Sequence, residues 1–308
     1  MGLRCPIDLP KICDDFRPTL IITLIDDVPT MWRRTEERAK GRDNAGRPTV
    51  EQLLSSRRAE QILGDMIVTH SAGRDVPHVL CATGNTLAAL ANIIIFGADI
   101  VYLSFPISVP REMKRDKDDN SFIDIINEAH RLAAETMNSN RKRAFISPLA
   151  IDELPILEVA KTEPSEVIAY DCSQSRWGLK ELWGQHQEPV VAPPSGIFQF
   201  PKSQIDWASG NIKTDVGWRD RRLVRQSKSL AVICPKDLEE NRITRGVDDE
   251  ITTAMTAQIP FCYWQKPEWD PENFLGTRFQ PAGSMGPGYV QMLFRRADSL
   301  PELIAAEP

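Results

Sequence analysis

Apolar positions alternate along this chain between short β-branched runs and longer stretches with helical spacing. Leu20 to Asp26 (LIITLID), followed by a second acid, is a run of the first kind and predicts a buried strand. A charged helix is expected from about Thr30 to Arg42, broken by GRDNAGRP. From Thr49 the apolar positions Leu53, Leu54, Ile62, Leu63, Met66 and Ile67 mark one side of a long amphipathic helix ending near His70, and Thr49 with Gln52 has the spacing of a capping box. His78 to Ala82 reads as a strand, Thr83-Gly84-Asn85 as a turn and Thr86 to Phe96 as a helix.

The same alternation continues with a strand over Ile100 to Phe105, a charged loop at Arg111 to Asn120, a helix from Ser121 to about Asn138 and a strand over Ala144 to Ser147. Glu163 to Asn211 holds many Pro, Gly and Trp residues without a sustained period, so an insertion or lid is expected there. A helix at Thr214 to Ser227, a strand at Ser229 to Cys234, a helix at Arg245 to Gln258 and a strand at Pro260 to Trp264 follow. Asp270 to Gly288 is irregular, and a short helix closes the chain from Leu300. Strands alternating with helices predict an α/β fold with a parallel sheet and helices on both faces, Rossmann-like or flavodoxin-like. A smaller α/β unit is expected at residues 1–98 and the larger one at 99–308, interrupted at about 163–211.

Composition narrows the function classes. With 42% hydrophobic and 26% charged residues the 308-residue chain is ordinary globular material, and its net charge of −6 lacks the positive excess that phosphate-backbone binding needs. Direct nucleic-acid binding is therefore not expected. The longest apolar stretch, Leu87 to Ala98, is too short to span a bilayer, and the N-terminus lacks the apolar core of a secretory signal. The expected setting is cytoplasmic, with the six cysteines reduced. Neither they nor the four histidines fall at metal-ligand spacing, so neither a metal nor another cofactor is expected.

Three segments fall where an open α/β sheet builds a ligand crevice, beyond the carboxyl ends of its strands. Tyr102-Leu103-Ser104-Phe105-Pro106 ends one strand; Asp220 lies upstream of Lys228 and the next strand; Gly246 opens a helix that carries Glu250 about one turn in. A glutamate in a first helical turn sits in the positive field of the helix end, which favours ionisation. Glu250 also borders the stripe of Val247, Ile251 and Ala254, so it can face a crevice. An ionised, shielded carboxylate is the group needed to attack an anomeric carbon.

The ordered set VYLSFPIS, Asp220-x-x-x-Val224-x-x-Ser227-Lys228, a strand, Gly246-x-x-x-Glu250 and a further strand resembles the nucleoside 2-deoxyribosyltransferase family, a flavodoxin-like relative of TIR and SLOG folds, over about Asp99 to Pro271. The resemblance implies Glu250 as nucleophile, Asp220 as the group positioning sugar and base, and Tyr102 as the strand tyrosine. Ser104, Phe105, Pro106, Gly246 and Lys228 are the expected substrate contacts. It implies a small nucleoside or nucleotide as ligand and a homo-oligomer as assembly. The chain departs from the family pattern at Ser227-Lys228, where Ala-Asp is usual, and at Val247, where threonine is usual. The lysine would favour a phosphorylated ligand; the valine removes a hydroxyl near the nucleophile.

LIITLIDDVPTMWRRTEER resembles, more faintly, the later part of a P-loop nucleoside monophosphate kinase, but the chain has no GxxxxGK[ST], and Gly84-Asn85-Thr86 does not replace it. Residues 1–98 are expected to be a degenerate or accessory unit. Two other functions stand beside glycosidic transfer: NAD cleavage of the TIR type, and non-catalytic nucleotide binding by a regulatory subunit. At the residue level the plainer alternatives are a surface ion pair of Asp220 with Arg219, Arg221 or Arg222, a core role for Tyr102 and Phe105, and a structural role for Arg57 and Arg58. Trp177, Trp183, Trp207 and Trp218 are either a base-stacking wall or a satellite core or oligomer contact.

Overall fold

The computed structural model of the chain describes residues 8–39, 48–71, 76–107, 121–171, 197–234, 244–265 and 294–306. In chain order they form α1 (Leu9–Phe16), β1 (Ile21–Ile25), α2 (Val28–Ala39), α3 (Val50–His70), β2 (His78–Ala82), α4 (Leu87–Phe96), β3 (Asp99–Ser104), α5 (Ser121–Ser139), β4 (Arg143–Ile146), α6 (Leu154–Thr162) and β5 (Val167–Asp171). Then come β6 (Ile197–Pro201), α7 (Lys202–Arg225), β7 (Ser229–Ile233), α8 (Arg245–Thr256), β8 (Phe261–Trp264), β9 (Phe294–Arg296) and α9 (Leu300–Ala305). The break at 41–47, the charged loop at 111–120, the irregular stretch at 270–288, Trp177 with Trp183, and Cys5, Cys172 and His186 lie outside the described residues.

The centre is a five-stranded parallel sheet in the order β4-β3-β7-β8-β9. Counted among themselves in chain order, these strands run 2-1-3-4-5, the flavodoxin arrangement, so the fold is Rossmann/flavodoxin-like. From β3 the chain steps through α5 to β4 on one side; from β7 it steps through α8 to β8 on the other. Right-handed crossovers then place α5 and α8 on opposite faces. Beside α5 packs α9, and beside α8 packs α7. With both faces covered, β3, β4 and β7 are buried almost throughout, which is why they read as unbroken apolar runs rather than alternating ones.

The pair β1-β2 is a separate two-stranded parallel sheet. Along the free edge of β2 the Gln226 side chain behaves like a neighbouring strand: its amide donates to the Leu80 carbonyl and its carbonyl accepts from the Leu80 N–H, each at 2.8 Å. Ile25, Val79, Leu80 and Ala82 join the core of the large sheet. A second core lies between α2, α3, α6, the β5-β6 pair and α7, with Trp32 edge-on to Phe200 at 4.9 Å between ring centroids. The turn after β2 is closely packed, and a Cβ on Gly84 would lie 2.3 Å from the Ala150 carbonyl oxygen, so this approach requires glycine.

Several elements differ from the expectation. The helix expected from Thr214 begins at Lys202, inside the stretch read as irregular, because Ile205, Ala208 and Ile212 already form its buried stripe despite Gly210. That stretch also holds the antiparallel strands β5 and β6, in which Ile168, Tyr170, Phe198 and Phe200 are buried at alternate positions. Helices α1 and α6 and strand β9 were not expected from the pattern either. The Thr49–Gln52 capping box of α3 is formed as its spacing predicts. Among the described residues Cys13, Cys81, Cys234 and Cys262 are buried and in no disulfide, no group of His, Cys, Asp and Glu is arranged to hold a metal, and no helix is long and apolar enough to cross a membrane.

Candidate active site

In a 2-1-3-4-5 sheet the crevice opens where the strand order reverses, here between the carboxyl ends of β3 and β7. Tyr102 and Ser104, two residues apart on β3, share a face of the sheet. The α8 helix, which leaves the carboxyl end of β7, turns Glu250 toward them. The Tyr102 hydroxyl donates to Glu250 Oε1 at 2.7 Å, and the Ser104 hydroxyl donates to Oε2. Each carboxyl oxygen therefore has its own hydroxyl donor, and Glu250 is only 6% exposed.

Asp220 stands beside this group on α7. Arg219 donates to Asp220 Oδ1 through Nε at 3.0 Å, and its Nη2 lies 2.9 Å from the same oxygen, forming one edge of a buried ion chain. Its Nη1 lies 4.0 Å from Glu153 Oε2. Glu153, fully buried just before α6, takes two bonds from Arg57 of α3, at 2.6 and 3.3 Å. Arg57 Nη1 also donates to the Asp26 carbonyl at the end of β1, and Nη2 lies 3.6 Å from Asp215. Asp26 accepts in turn from Thr83 and Arg34, while Arg58 pairs with Asp215. A continuous set of charges thus leads from the small sheet to the flank of Glu250.

Glu250 does not sit in the field of the helix end. Helix α8 begins at Arg245, and the acid of its first turn is Asp248; Glu250 belongs to the second turn. The ionised form expected from the sequence is accordingly opposed: burial above all, then the charge of Asp220, push the Glu250 carboxyl from 4.5 up to about 8. Ser104, Tyr102 and Arg219 pull in the other direction without prevailing. Asp220 is also raised, by burial first, with Arg219 restraining it. Tyr102 is raised by its burial and by the neighbouring carboxylates, so its hydroxyl stays a donor. A carboxyl that titrates near neutrality between two hydroxyls can accept or release a proton, or attack an electrophile once ionised.

The structure brings together Glu250, Tyr102 and Ser104, with Asp220 alongside. It does not bring Lys228 to them. Lys228 precedes β7, its N–H bonded to the Ile100 carbonyl at 2.7 Å, and it is exposed at the amino end of the sheet. Because the strands are parallel, a residue entering β7 is a strand length from the crevice at the carboxyl ends. Phe105 is buried against α5, edge-on to His130 at 5.6 Å between centroids, on the face opposite α8. Pro106 is buried after it. Gly246 is exposed in the first turn of α8, where a Cβ would meet nothing within 4 Å, so no close approach requires glycine.

The sequence gives Arg57 only a structural role, Arg219 only an ion pair with Asp220, and does not mark Glu153. Burial of the two arginines is nonetheless legible: Ile205, Ala208, Ile212, Asp215 and Arg219 follow one helical stripe, and Arg57 lies one turn beyond Leu53. A charge in an apolar register is a buried charge, and a buried charge needs a partner. Compared with known proteins, the chain matches no family model and no curated protein.

Proposed function

We propose that this chain breaks or transfers the N-glycosidic bond of a nucleoside or nucleotide. The observation that carries the reading is the buried Glu250 carboxyl at the sheet's switch point, with Tyr102 and Ser104 hydroxyls on its two oxygens and Asp220 beside it. Ionised Glu250 attacks C1′, a C–O ester bond forms as the C–N bond breaks, and the leaving base takes a proton from Asp220. Water or a second base, giving up a proton to Asp220, then displaces the ester and frees Glu250. The developing positive charge on the sugar favours a carboxylate at this position. The two hydroxyls hold the attacking oxygen in place, which contributes through orientation. The reading includes a cytoplasmic setting and, through the family resemblance, a homo-oligomer.

The test is incubation with deoxynucleosides, nucleoside monophosphates and NAD, with free base followed by chromatography. Base release by wild type and its loss in Glu250→Gln are expected; no release, or equal release by the variant, removes the reading. Nicotinamide release from NAD alone would assign the TIR-like alternative. A nucleophile must be ionised, so kcat/KM should rise with pH through the Glu250 titration near 8. Because Asp220 must keep its proton, a falling limb belongs to the same mechanism; a profile with no rising limb would contradict Glu250 as the nucleophile.

Non-catalytic nucleotide binding is the second reading. Val247 favours it, because this buried valine stands where the resembling family carries a hydroxyl. Melting shifts with nucleotides, in the absence of any turnover, would select it.

A further inference from the structure

The ion chain ending at Asp220 is longer than a surface pair and is built from side chains that have left water. Glu153 is fully buried between two guanidinium groups, those of Arg57 and Arg219, and the side chains of both arginines are 4% exposed. Taking the charges of Arg57, Glu153 and Arg219 out of water carries a large desolvation penalty. Such a set persists only where each charge has its partner. Arg219 occupies Oδ1 of Asp220 with two of its nitrogens, while Nη1 makes no hydrogen bond among the described residues and points its charge toward Glu153. The Asp220 side chain keeps some exposure, 15%.

We infer that Arg219 and Glu153 are positioning residues for the Glu250 centre: Glu153, locked by Arg57, holds Arg219, and Arg219 presents the Asp220 carboxyl by one oxygen. The inference rests on the proposed glycosidic reading for its chemical meaning, since it is Asp220 that delivers the proton to the base. It also gives residues 1–98 a part in the site, because Arg57 is supplied by α3 and is itself tied to the Asp26 carbonyl at the end of β1.

The groups facing Asp220 and Glu250 are Arg219 and Arg221 on α7, Glu153 before α6, and Tyr102 and Ser104 on β3. Glu153 opposes ionisation of Asp220, and Arg219 favours it. Two conservative variants on either side of the chain should therefore move Asp220 in opposite directions. We would follow the Asp220 carboxyl by carbon-13 NMR in the full-length chain, without substrate. Glu153→Gln should lower its titration midpoint, and Arg219→Lys, which keeps the charge but loses the two-nitrogen grip, should raise it. Each shift should be at least about half a pH unit, roughly threefold in proton affinity. A purely structural role would leave the midpoint where it is. An unmoved midpoint in either folded variant overturns the inference; if one variant does not fold, the other decides. Base release is assayed separately, so failure of the wild type to release base would remove the glycosidic reading while leaving the titration result standing.

Discussion

Glu250 is a carboxyl placed where ionisation is unfavourable, and that placement has consequences for stability as well as for chemistry. Its folded-state midpoint lies above the unfolded one, so between about 4.5 and 8 the unfolded chain releases this proton first. Stability falls as pH rises through that window, by about 1.4 kcal/mol for each unit of displacement. Glu250→Gln removes the titration and keeps the shape. Its stability relative to wild type should therefore grow from pH 4.5 to pH 8 and level off on either side, which urea unfolding at a series of pH values would read. A difference independent of pH would contradict the burial of the charge. Tyr102→Phe removes a hydroxyl that favours the ionised carboxyl, and hydrogen bonds to charged groups contribute about 1.5–3 kcal/mol. The Glu250 midpoint should move further up, and base release at pH 7 should drop by about tenfold or more if the glutamate is the nucleophile. An unchanged midpoint in the Tyr102→Phe protein would mean that the 2.7 Å contact is not a working hydrogen bond in solution.

Helices α3 and α7 have a mixed character, since each carries charge along the stripe that it buries. On α7 the stripe runs from Ile205 through Ala208 and Ile212 into Asp215 and Arg219, so one face changes from hydrophobic packing to ion pairing along its length. On α3, Arg57 follows Leu53 and Leu54 into the interior. Breaking such a pair from one side leaves an uncompensated buried charge, and Arg57→Met should destabilise the protein by about 3–5 kcal/mol. The double variant Arg57→Met, Glu153→Gln should recover part of this loss, because the stranded carboxylate is then gone. Equal losses in the single and double variants would show that packing around Arg57, rather than its charge, is what matters. The helical period of α7 was legible from Thr214 onward, whereas its first three turns were hidden by Ser203, Gly210 and Asn211, residues of low helical preference held in the helix by burial of their neighbours. The strands β5 and β6 were likewise masked by the Pro- and Gly-rich sequence between them, although their own alternation is plain.

Across the whole molecule, two cores are shared between the first third of the chain and the remainder. Ile25, Val79, Leu80 and Ala82 belong to the core of the five-stranded sheet, and Val28, Trp32, Val50, Leu53 and Leu54 belong to the core that contains β5, β6 and α7. A fragment comprising residues 99–308 would expose those faces and leave Glu153 without Arg57. It should not show a cooperative unfolding transition when produced alone, and co-expression with residues 1–98 should restore one. A sharp, two-state melt of the isolated fragment would contradict this prediction and mark the larger unit as independent.

The alternation of strand and helix, the parallel sheet through β3, β4, β7 and β8 and the segments that end at its crevice were determined by local pattern, because periodicity records burial and short connections restrict topology. The proximity of Tyr102, Ser104, Asp220 and Glu250 was anticipated only by analogy of motifs; their hydrogen bonds depend on how α7 and α8 pack against β3. The charge state of Glu250 and the ion chain through Arg57, Glu153 and Arg219 were decided by tertiary structure alone, whereas the place of Lys228 at the entrance of β7 follows from strand order. Ionisation depends on desolvation and on neighbours distant in sequence, and neither is written in the spacing of the residues that titrate.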